Sequence, residues 1–235
     1  MTERPRRFYR RVTVAAGDGG FAISLDDRPA KTPAKARLIV PTAALAAAIA
    51  EEWAAQSESI DARSMPLTQL AATALDRIPG HREAVVDSIA AYGASDLLCY
   101  RADTPKELLT RQDHAWQPLL DWAAEEWGAR LHVTRGVVPI AQPAATLGTL
   151  RRVVAGFADF PLTGLASAVQ ITGSLIVGLA LARGRIDADA AHRVAILDES
   201  FQAELWGRDT DAERRRQRVA DELRTARRFI DLSLA

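Results

Sequence analysis

Cysteine is nearly absent from this sequence, and its scarcity excludes several kinds of protein. Among 235 residues only Cys99 is a cysteine, so the chain can form no internal disulfide framework and contains no CxxC metal or redox motif. A lone cysteine in a chain of this length is typical of a reducing compartment. We interpret Cys99 as a core residue rather than as a nucleophile.

An excess of charge of either sign is also missing. Thirty basic and thirty acidic side chains cancel, so no long-range field attracts nucleic acid or an anionic membrane. Two arginine clusters remain, at residues 4–11 and 214–218. Acidic residues accompany the second cluster, so we interpret both as solvated faces and expect no nucleic-acid partner. RNA or ribosome binding through these arginine-rich terminal segments is the alternative.

No hydrophobic leader begins the sequence, and its most apolar stretch is interrupted by polar residues. The first twelve residues are arginine-rich without an apolar core, unlike a secretory signal. Leu162–Ala182 contains Thr163, Gln170 and Ser174, which favours a buried core helix or helix pair over a membrane span. We therefore expect no membrane insertion and, for a bacterial source, a cytoplasmic location.

No catalytic or metal-binding constellation stands out. The four histidines have no spacing that would place two on one helical face; they are His81, His114, His132 and His192. Gly17–Gly20 joins two predicted strands rather than a strand and a helix, so it cannot form a phosphate-binding helix N-terminus. We expect neither catalysis, nor a metal, nor a cofactor. The alternative is an enzyme whose site forms only on folding, around Cys99 and His114.

The first forty residues predict a small antiparallel sheet. Apolar and polar residues alternate over 11–14 and 21–25, which is the period of a strand. The glycines between them supply the positive φ that a tight hairpin turn requires. A second turn at Asp26–Pro29 and a short strand at Arg37–Val40 complete the sheet.

From Thr42 onward the pattern is helical. Thr42 is predicted to be the N-cap of a first helix, and capping boxes at 104–107 and 210–213 predict the starts of two more. Helices are expected near 67–78, 85–92, 105–127, 144–157, 162–183, 187–206 and 212–230. The sequence therefore predicts an α+β fold. A small antiparallel β-rich domain with one helix is expected at 1–65, followed by a larger α-helical domain at 66–235.

The helix predicted over 187–206 carries a candidate contact surface. Its apolar stripe, at about 100° per residue, is formed by Val194, Leu197, Phe201 and Leu205. The other side and the rim of the stripe carry Asp198, Glu199, Gln202, Glu204 and Trp206. Tryptophan beside carboxylate and amide groups is typical of a binding surface, because aromatic anchors concentrate binding energy at interfaces. The alternative is that Trp206 closes the helix by packing on Gly207 and the next helix.

Short motifs in a specific order extend over nearly all of the chain, from Phe8 to about Ile230. None is a chemical motif by itself, but their order and spacing together are specific. They are FYRRV at 8–12, LDDRP at 25–29, KTP at 31–33, EEW at 51–53, MPLT at 65–68, DLLCYR at 96–101, WQPLLDW at 116–122, TGSLI at 172–176, LDESFQ at 197–202 and WG at 206–207. In these motifs the chain resembles the assembly chaperones specific for the alpha subunit of F-type ATP synthase, found in mitochondria and related bacteria.

This resemblance implies a β-rich N-terminal domain, a helical domain, no cofactor, and binding of an unassembled alpha subunit. The acidic pair Asp198–Glu199 coincides with the most function-sensitive region of that family, so the client-contact role is assigned to Glu199 first. Gln202, Glu204 and Trp206 complete the expected client-binding set. The implied function is that of a monomeric, non-enzymatic chaperone that covers the beta-facing interface of its client and releases it on assembly. Mitochondrial relatives are expected in the matrix.

Overall fold

The computed structural model describes residues 5–136, 138–207 and 209–235. Contacts between residues divide the chain into two compact units. The first takes in 5–82, 158–164 and 228–235, and the second takes in the described residues of 83–157 and 165–227. Antiparallel strands are followed by helices, so the predicted α+β class is confirmed. The division into domains 1–65 and 66–235 stays a prediction.

An antiparallel sheet occupies the N-terminal part of the first unit. Strand β1 (Val12–Gly17) pairs with β2 (Gly20–Leu25) in the predicted hairpin, and β2 also pairs with β3 (Arg28–Pro29) and β4 (Ile39–Val40). The predicted strand at 37–40 is shortened, because Arg37 forms an isolated bridge with Lys31 instead. A Cβ atom at Gly20, where φ is +132°, would lie 2.3 Å from the carbonyl oxygen of Val40. Only glycine permits this approach of β2 and β4.

Two helices complete the first unit together with chain segments from later in the sequence. Helix α1 (Ala43–Ala54) packs on the sheet, and α2 (Pro66–Arg77) packs on α1. Thr42 caps α1 as predicted, since its hydroxyl oxygen accepts a hydrogen bond from the amide of Leu45 at 3.1 Å. The core joins residues of strand and helix spacing; it includes Ile23, Leu25, Val40, Leu45, Ile49, Leu67 and Phe229.

The second unit is built mainly of helices. In chain order these are α3 (Arg82–Ala90), α4 (Lys106–Trp127), α5 (Ala144–Ala155), α6 (Asp159–Thr172), α7 (Leu175–Ala182), α8 (Ala188–Ala195), α9 (Leu197–Trp206) and α10 (Thr210–Leu234). Arg82, the beginning of α6 and the end of α10 belong to the first unit. Strand β5 (Tyr100–Arg101) pairs in parallel with β6 (Thr134–Arg135). Among the described residues no helix has the length and apolar content to cross a membrane.

A buried carboxylate organises the centre of the second unit. Asp96 accepts hydrogen bonds from the hydroxyl of Ser174 at 2.7 Å and from the amides of Leu98 and Ile176, each at 3.0 Å. Ser174 in turn caps α7 by accepting from the amide of Val177 at 3.0 Å. Burial raises the pKa of Asp96, and the hydrogen bonds oppose this rise. Asp96 therefore ties the segment before β5 to the start of α7.

Two of the predicted helical segments each form a pair of helices. The stretch 162–183, predicted as one helix or two, divides at Gly173, whose φ is +67°. The single helix predicted over 187–206 is wrong, because the chain leaves helical geometry at Ile196 and continues as α9. The indole of Trp116 donates a hydrogen bond to the carbonyl oxygen of Val194 at 3.1 Å. A continuous helix would use that carbonyl for the amide of Asp198, so a tertiary contact accompanies the break.

Helices begin close to both predicted capping boxes, but neither predicted threonine is the N-cap. Helix α4 begins at Lys106, with Pro105 in the N-cap position and no side-chain cap, so Thr104 does not cap it. Thr210 is already the first residue of α10, and the carboxylate of Asp209 accepts from the amide of Ala212 at 2.9 Å. Threonine and aspartate are both good N-caps, so the sequence alone does not choose between neighbours.

Candidate functional site

Helix α9 carries all five predicted site residues and packs on α4. They are Asp198, Glu199, Gln202, Glu204 and Trp206. Phe201 anchors the helix, since its side chain is buried and the guanidinium of Arg111 lies 5.1 Å from its ring centroid. The predicted apolar stripe is therefore confirmed at Phe201.

Each of the three carboxylates on α9 bonds to a neighbouring helix. Asp198 accepts a hydrogen bond from the side-chain amide of Gln112 on α4 at 2.7 Å. Glu204 forms an ion pair with Arg111 of α4 at 2.7 Å. Glu199 forms an ion pair with Arg215 of α10 at 2.8 Å. The three acidic residues are neighbours in the sequence, but each bonds to a different residue: Gln112, Arg111 or Arg215.

Asp198 differs from the two glutamates because its partner is buried. The side-chain oxygen of Gln112 accepts from the amide of Ala102 at 2.7 Å, so Gln112 joins α9 to the residue after β5. The neighbouring Arg101 is also buried and pairs with Asp113 at 2.7 Å; burial lowers the pKa of this guanidinium. Sequence reasoning missed Gln112, because a glutamine within a helix gives no signal that a distant residue bonds to it.

The C-terminal end of α9 exposes two large apolar side chains. Trp206 is 80% exposed and Leu205 is 59% exposed. Leu205, a member of the predicted apolar stripe, is therefore not buried with Phe201, and Trp206 does not close the helix by packing on its neighbours. The helix ends at Trp206, and at Gly207 φ is +94°. The last turn thus lacks the packing that buries Phe201 one turn earlier.

Several arginines of the two sequence clusters form ion pairs. Arg11 pairs with Asp27 at 2.9 Å, and Arg214 pairs with Asp211 at 3.1 Å. Arg215 is the partner of Glu199 already described. These pairs fit the interpretation of the clusters as solvated, locally neutralised faces. Arg4, from the first cluster, lies outside the described residues.

Cys99 is buried, and its environment disfavours a thiolate. Burial raises the pKa of the Cys99 thiol to about 12, and the negative charge of the nearby Asp96 adds to this rise. A reactive cysteine needs an accessible thiol with a lowered pKa. Among the described residues no three His, Cys, Asp or Glu side chains are grouped so that they could hold a metal ion. Cys99 therefore has the surroundings of a core residue.

We expect iodoacetamide to alkylate native Cys99 at least about 100-fold more slowly at pH 8 than it alkylates the urea-unfolded chain, because native burial removes both access and thiolate. Mass spectrometry of quenched samples measures both rates. The Cys99→Ala variant, which must stay unlabelled, is the control. Rapid labelling of the folded chain would contradict this expectation and would favour the enzyme alternative.

The chain thus combines an α+β fold with a helix, α9, that presents carboxylates and an exposed tryptophan. The chain belongs to the ATP12 chaperone family, whose model, described as the ATP12 chaperone protein, matches residues 6–124. The resemblance read from the sequence motifs is thereby confirmed.

Solved and curated relatives cover most of the chain. The crystal structure of Atp12 from Paracoccus denitrificans is 46% identical with a TM-score of 0.93, covering 97% of this chain and 98% of that one. The Atu1473 protein from Agrobacterium tumefaciens is 39% identical with a TM-score of 0.93, covering 98% of this chain and 87% of that one. The mitochondrial protein atp12 of Schizosaccharomyces pombe is 26% identical over 219 residues, which are 88% of this chain and 75% of that protein.

Proposed function

We propose that this chain is a chaperone for the unassembled alpha subunit of F-type ATP synthase and releases it when the catalytic sector assembles. The observation that carries the proposal is the exposed end of α9, where Trp206 is 80% exposed, in a member of the ATP12 chaperone family. The motifs of the sequence indicate the alpha subunit as the client. The proposed action requires neither catalysis nor a cofactor.

The physical reason for such a chaperone lies in the client. Alpha and beta subunits alternate in the catalytic ring, so an unassembled alpha subunit exposes the apolar surface that later faces beta. Large exposed apolar patches drive aggregation. A chaperone that covers this surface prevents aggregation, provided that its affinity for alpha is lower than that of beta. Release then follows from competition, without nucleotide hydrolysis by the chaperone.

Helix α9 offers both kinds of contact that such binding needs. Trp206 and Leu205 supply exposed apolar area, and buried aromatic anchors carry much of the binding energy at protein interfaces. Glu199 and Glu204 form surface ion pairs, which contribute little to stability. A basic side chain of the client can therefore replace Arg215 or Arg111. Asp198, bonded to buried Gln112, is better suited to fix the orientation of α9.

Size-exclusion chromatography with light scattering tests the proposal on the purified chain and the cognate alpha subunit without beta. We expect a monomeric chain that forms a one-to-one complex with alpha, and added beta dissolves that complex. Absence of a complex, under conditions that keep alpha soluble, would contradict the proposal. RNA binding that weakens steeply with salt would instead support the alternative. Location in the bacterial cytoplasm stays a prediction.

Glu199→Lys is expected to weaken the complex at least about tenfold, since reversing a charge at an interface creates repulsion, while the thermal midpoint changes little. Arg215→Ala separates the two roles of Glu199. If Glu199 contacts the client, Arg215→Ala frees the carboxylate and keeps the affinity. If Glu199 only holds α10, Arg215→Ala weakens the complex as Glu199→Lys does. Glu126→Lys, an equal charge change at an exposed position of α4, is the control and is expected to have little effect.

A further inference from the structure

An apolar groove lies between α4 and α8 in the second unit. Its volume is about 470 Å³, within the range of about 300–1,000 Å³ that is typical of ligand pockets. Pro118 and Leu119 line it from α4, Val194 lines it from α8, and Leu197 lines it from the start of α9. The groove therefore offers apolar surface that another chain could cover.

Two arginines give this groove a positive charge. Arg185 and Arg193 line it, both are exposed, and no carboxylate in the described part of the chain forms an ion pair with either. The acidic residues nearest in sequence have other partners. Asp187 caps α8 by accepting from the amide of Ala190 at 2.7 Å, and Asp189 pairs with Arg224 at 2.7 Å. Neither arginine is therefore engaged in an ion pair among the described residues, so both guanidinium groups can bind a carboxylate of another chain.

We propose that this groove is a second binding site for the client, and that it takes a client segment in which a bulky apolar side chain lies beside a carboxylate. The apolar lining would bury the side chain. A guanidinium binds a carboxylate through two parallel hydrogen bonds, so Arg185 or Arg193 would fix the acidic neighbour. This inference rests on the proposed function and specifies the chemistry of one client segment.

The groove adjoins the candidate site on α9, and this continuity assigns its occupant to the client rather than to a second copy of the chain. Leu197 lines the groove, and the next two residues, Asp198 and Glu199, belong to the candidate site. On α9 the carboxylates of Glu199 and Glu204 form surface ion pairs that a basic side chain of the client can replace, whereas the groove presents two arginines. A client that meets both must present a basic and an acidic segment in a fixed order, and such complementarity selects partner and register.

The double charge reversal Arg185→Glu with Arg193→Glu tests the groove in the complete protein. We expect it to weaken the complex with the alpha subunit at least tenfold, with an unchanged thermal midpoint because both side chains are exposed. Ala190→Trp, which fills the groove from α8, is expected to act in the same direction. Arg218→Glu with Arg228→Glu, at two exposed positions of α10, is the matched control. Wild-type affinity in the double variant would overturn the groove site and leave the proposed function standing.

A second measurement needs no alpha subunit, so that failure of the proposed function can be recognised separately. Fluorescence anisotropy compares a labelled model peptide of alternating leucine and aspartate with a peptide that has asparagine for aspartate. We expect the acidic peptide to bind at least fivefold more tightly, and this preference to be lost in the double variant. Equal binding of both peptides would overturn the inference. A loss of self-association in the double variant would assign the groove to a second copy and would also overturn it.

Discussion

Replacement of Trp206 by alanine is expected to weaken binding of the alpha subunit by about 30-fold or more, because truncating an interface hot spot costs about 2 kcal/mol or more. The fold should be unaffected, since 80% of this residue is exposed. Isothermal titration calorimetry of the chain against the alpha subunit measures the affinity. Circular dichroism during heating measures the thermal midpoint, which we expect to stay at the wild-type value.

Three further variants make the result for Trp206 specific. Phe8→Ala removes another exposed aromatic side chain, 66% exposed and located in the first unit; it is expected to leave the affinity unchanged. Leu205→Ala tests the neighbouring apolar side chain, and Val138→Ala, at 66% exposure, is its aliphatic control. Equal losses in Trp206→Ala and Phe8→Ala would indicate a general effect of surface hydrophobicity and would remove α9 from the proposed interface.

Asp96→Ala is expected to lower the free energy of unfolding by about 3 kcal/mol or more, because buried donors left without an acceptor cost about 1–3 kcal/mol each. The amides of Leu98 and Ile176 lose their acceptor, and the hydroxyl of Ser174 loses its carboxylate. Removing Asp96 also relieves the cost of burying a carboxylate, but the orphaned amides outweigh this gain. Urea denaturation followed by circular dichroism measures the change.

The stability difference between wild type and Asp96→Ala should depend on pH in a defined direction. Burial raises the pKa of Asp96 in the folded protein, whereas the unfolded chain has the ordinary value of about 3.9. The folded state therefore holds this proton more tightly, so the contribution of Asp96 is greatest below the unfolded pKa. It decreases as the pH rises through the folded pKa. We expect a larger difference at pH 5 than at pH 7.

Asp187→Ala provides the matched comparison for Asp96→Ala. Asp187 caps α8 through one exposed hydrogen bond, to the amide of Ala190, and loss of an N-cap costs about 1 kcal/mol. Both variants remove an aspartate that bonds the start of a helix, but only Asp96 is buried. Equal losses of stability in the two variants would mean that the buried network contributes no more than an ordinary cap.

Much of the candidate site could be predicted because its signals are local in sequence. Helical periodicity placed Phe201 on the packing side of α9, and all five candidate residues do lie on one helix. The exposure of Leu205 could not be predicted in the same way. Periodicity says which side chains share a face, but burial at the last turn depends on which helices extend far enough to cover it.

Local pattern by itself determined the α+β class, the N-terminal hairpin and the cap of α1. Alternation, turn glycines and the threonine at position 42 act over a few residues, so their consequences do not depend on distant parts of the chain. Family membership was also visible in the order of short motifs.

Only the tertiary structure decided where α8 gives way to α9, which helices hold the three carboxylates, and how the groove with Arg185 and Arg193 forms. Trp116 donates to the carbonyl of Val194, 78 residues further along the chain, and Gln112 reaches Asp198 across 86 residues. Such pairs depend on the packing of helices that are far apart in sequence, and no short window of residues contains both partners.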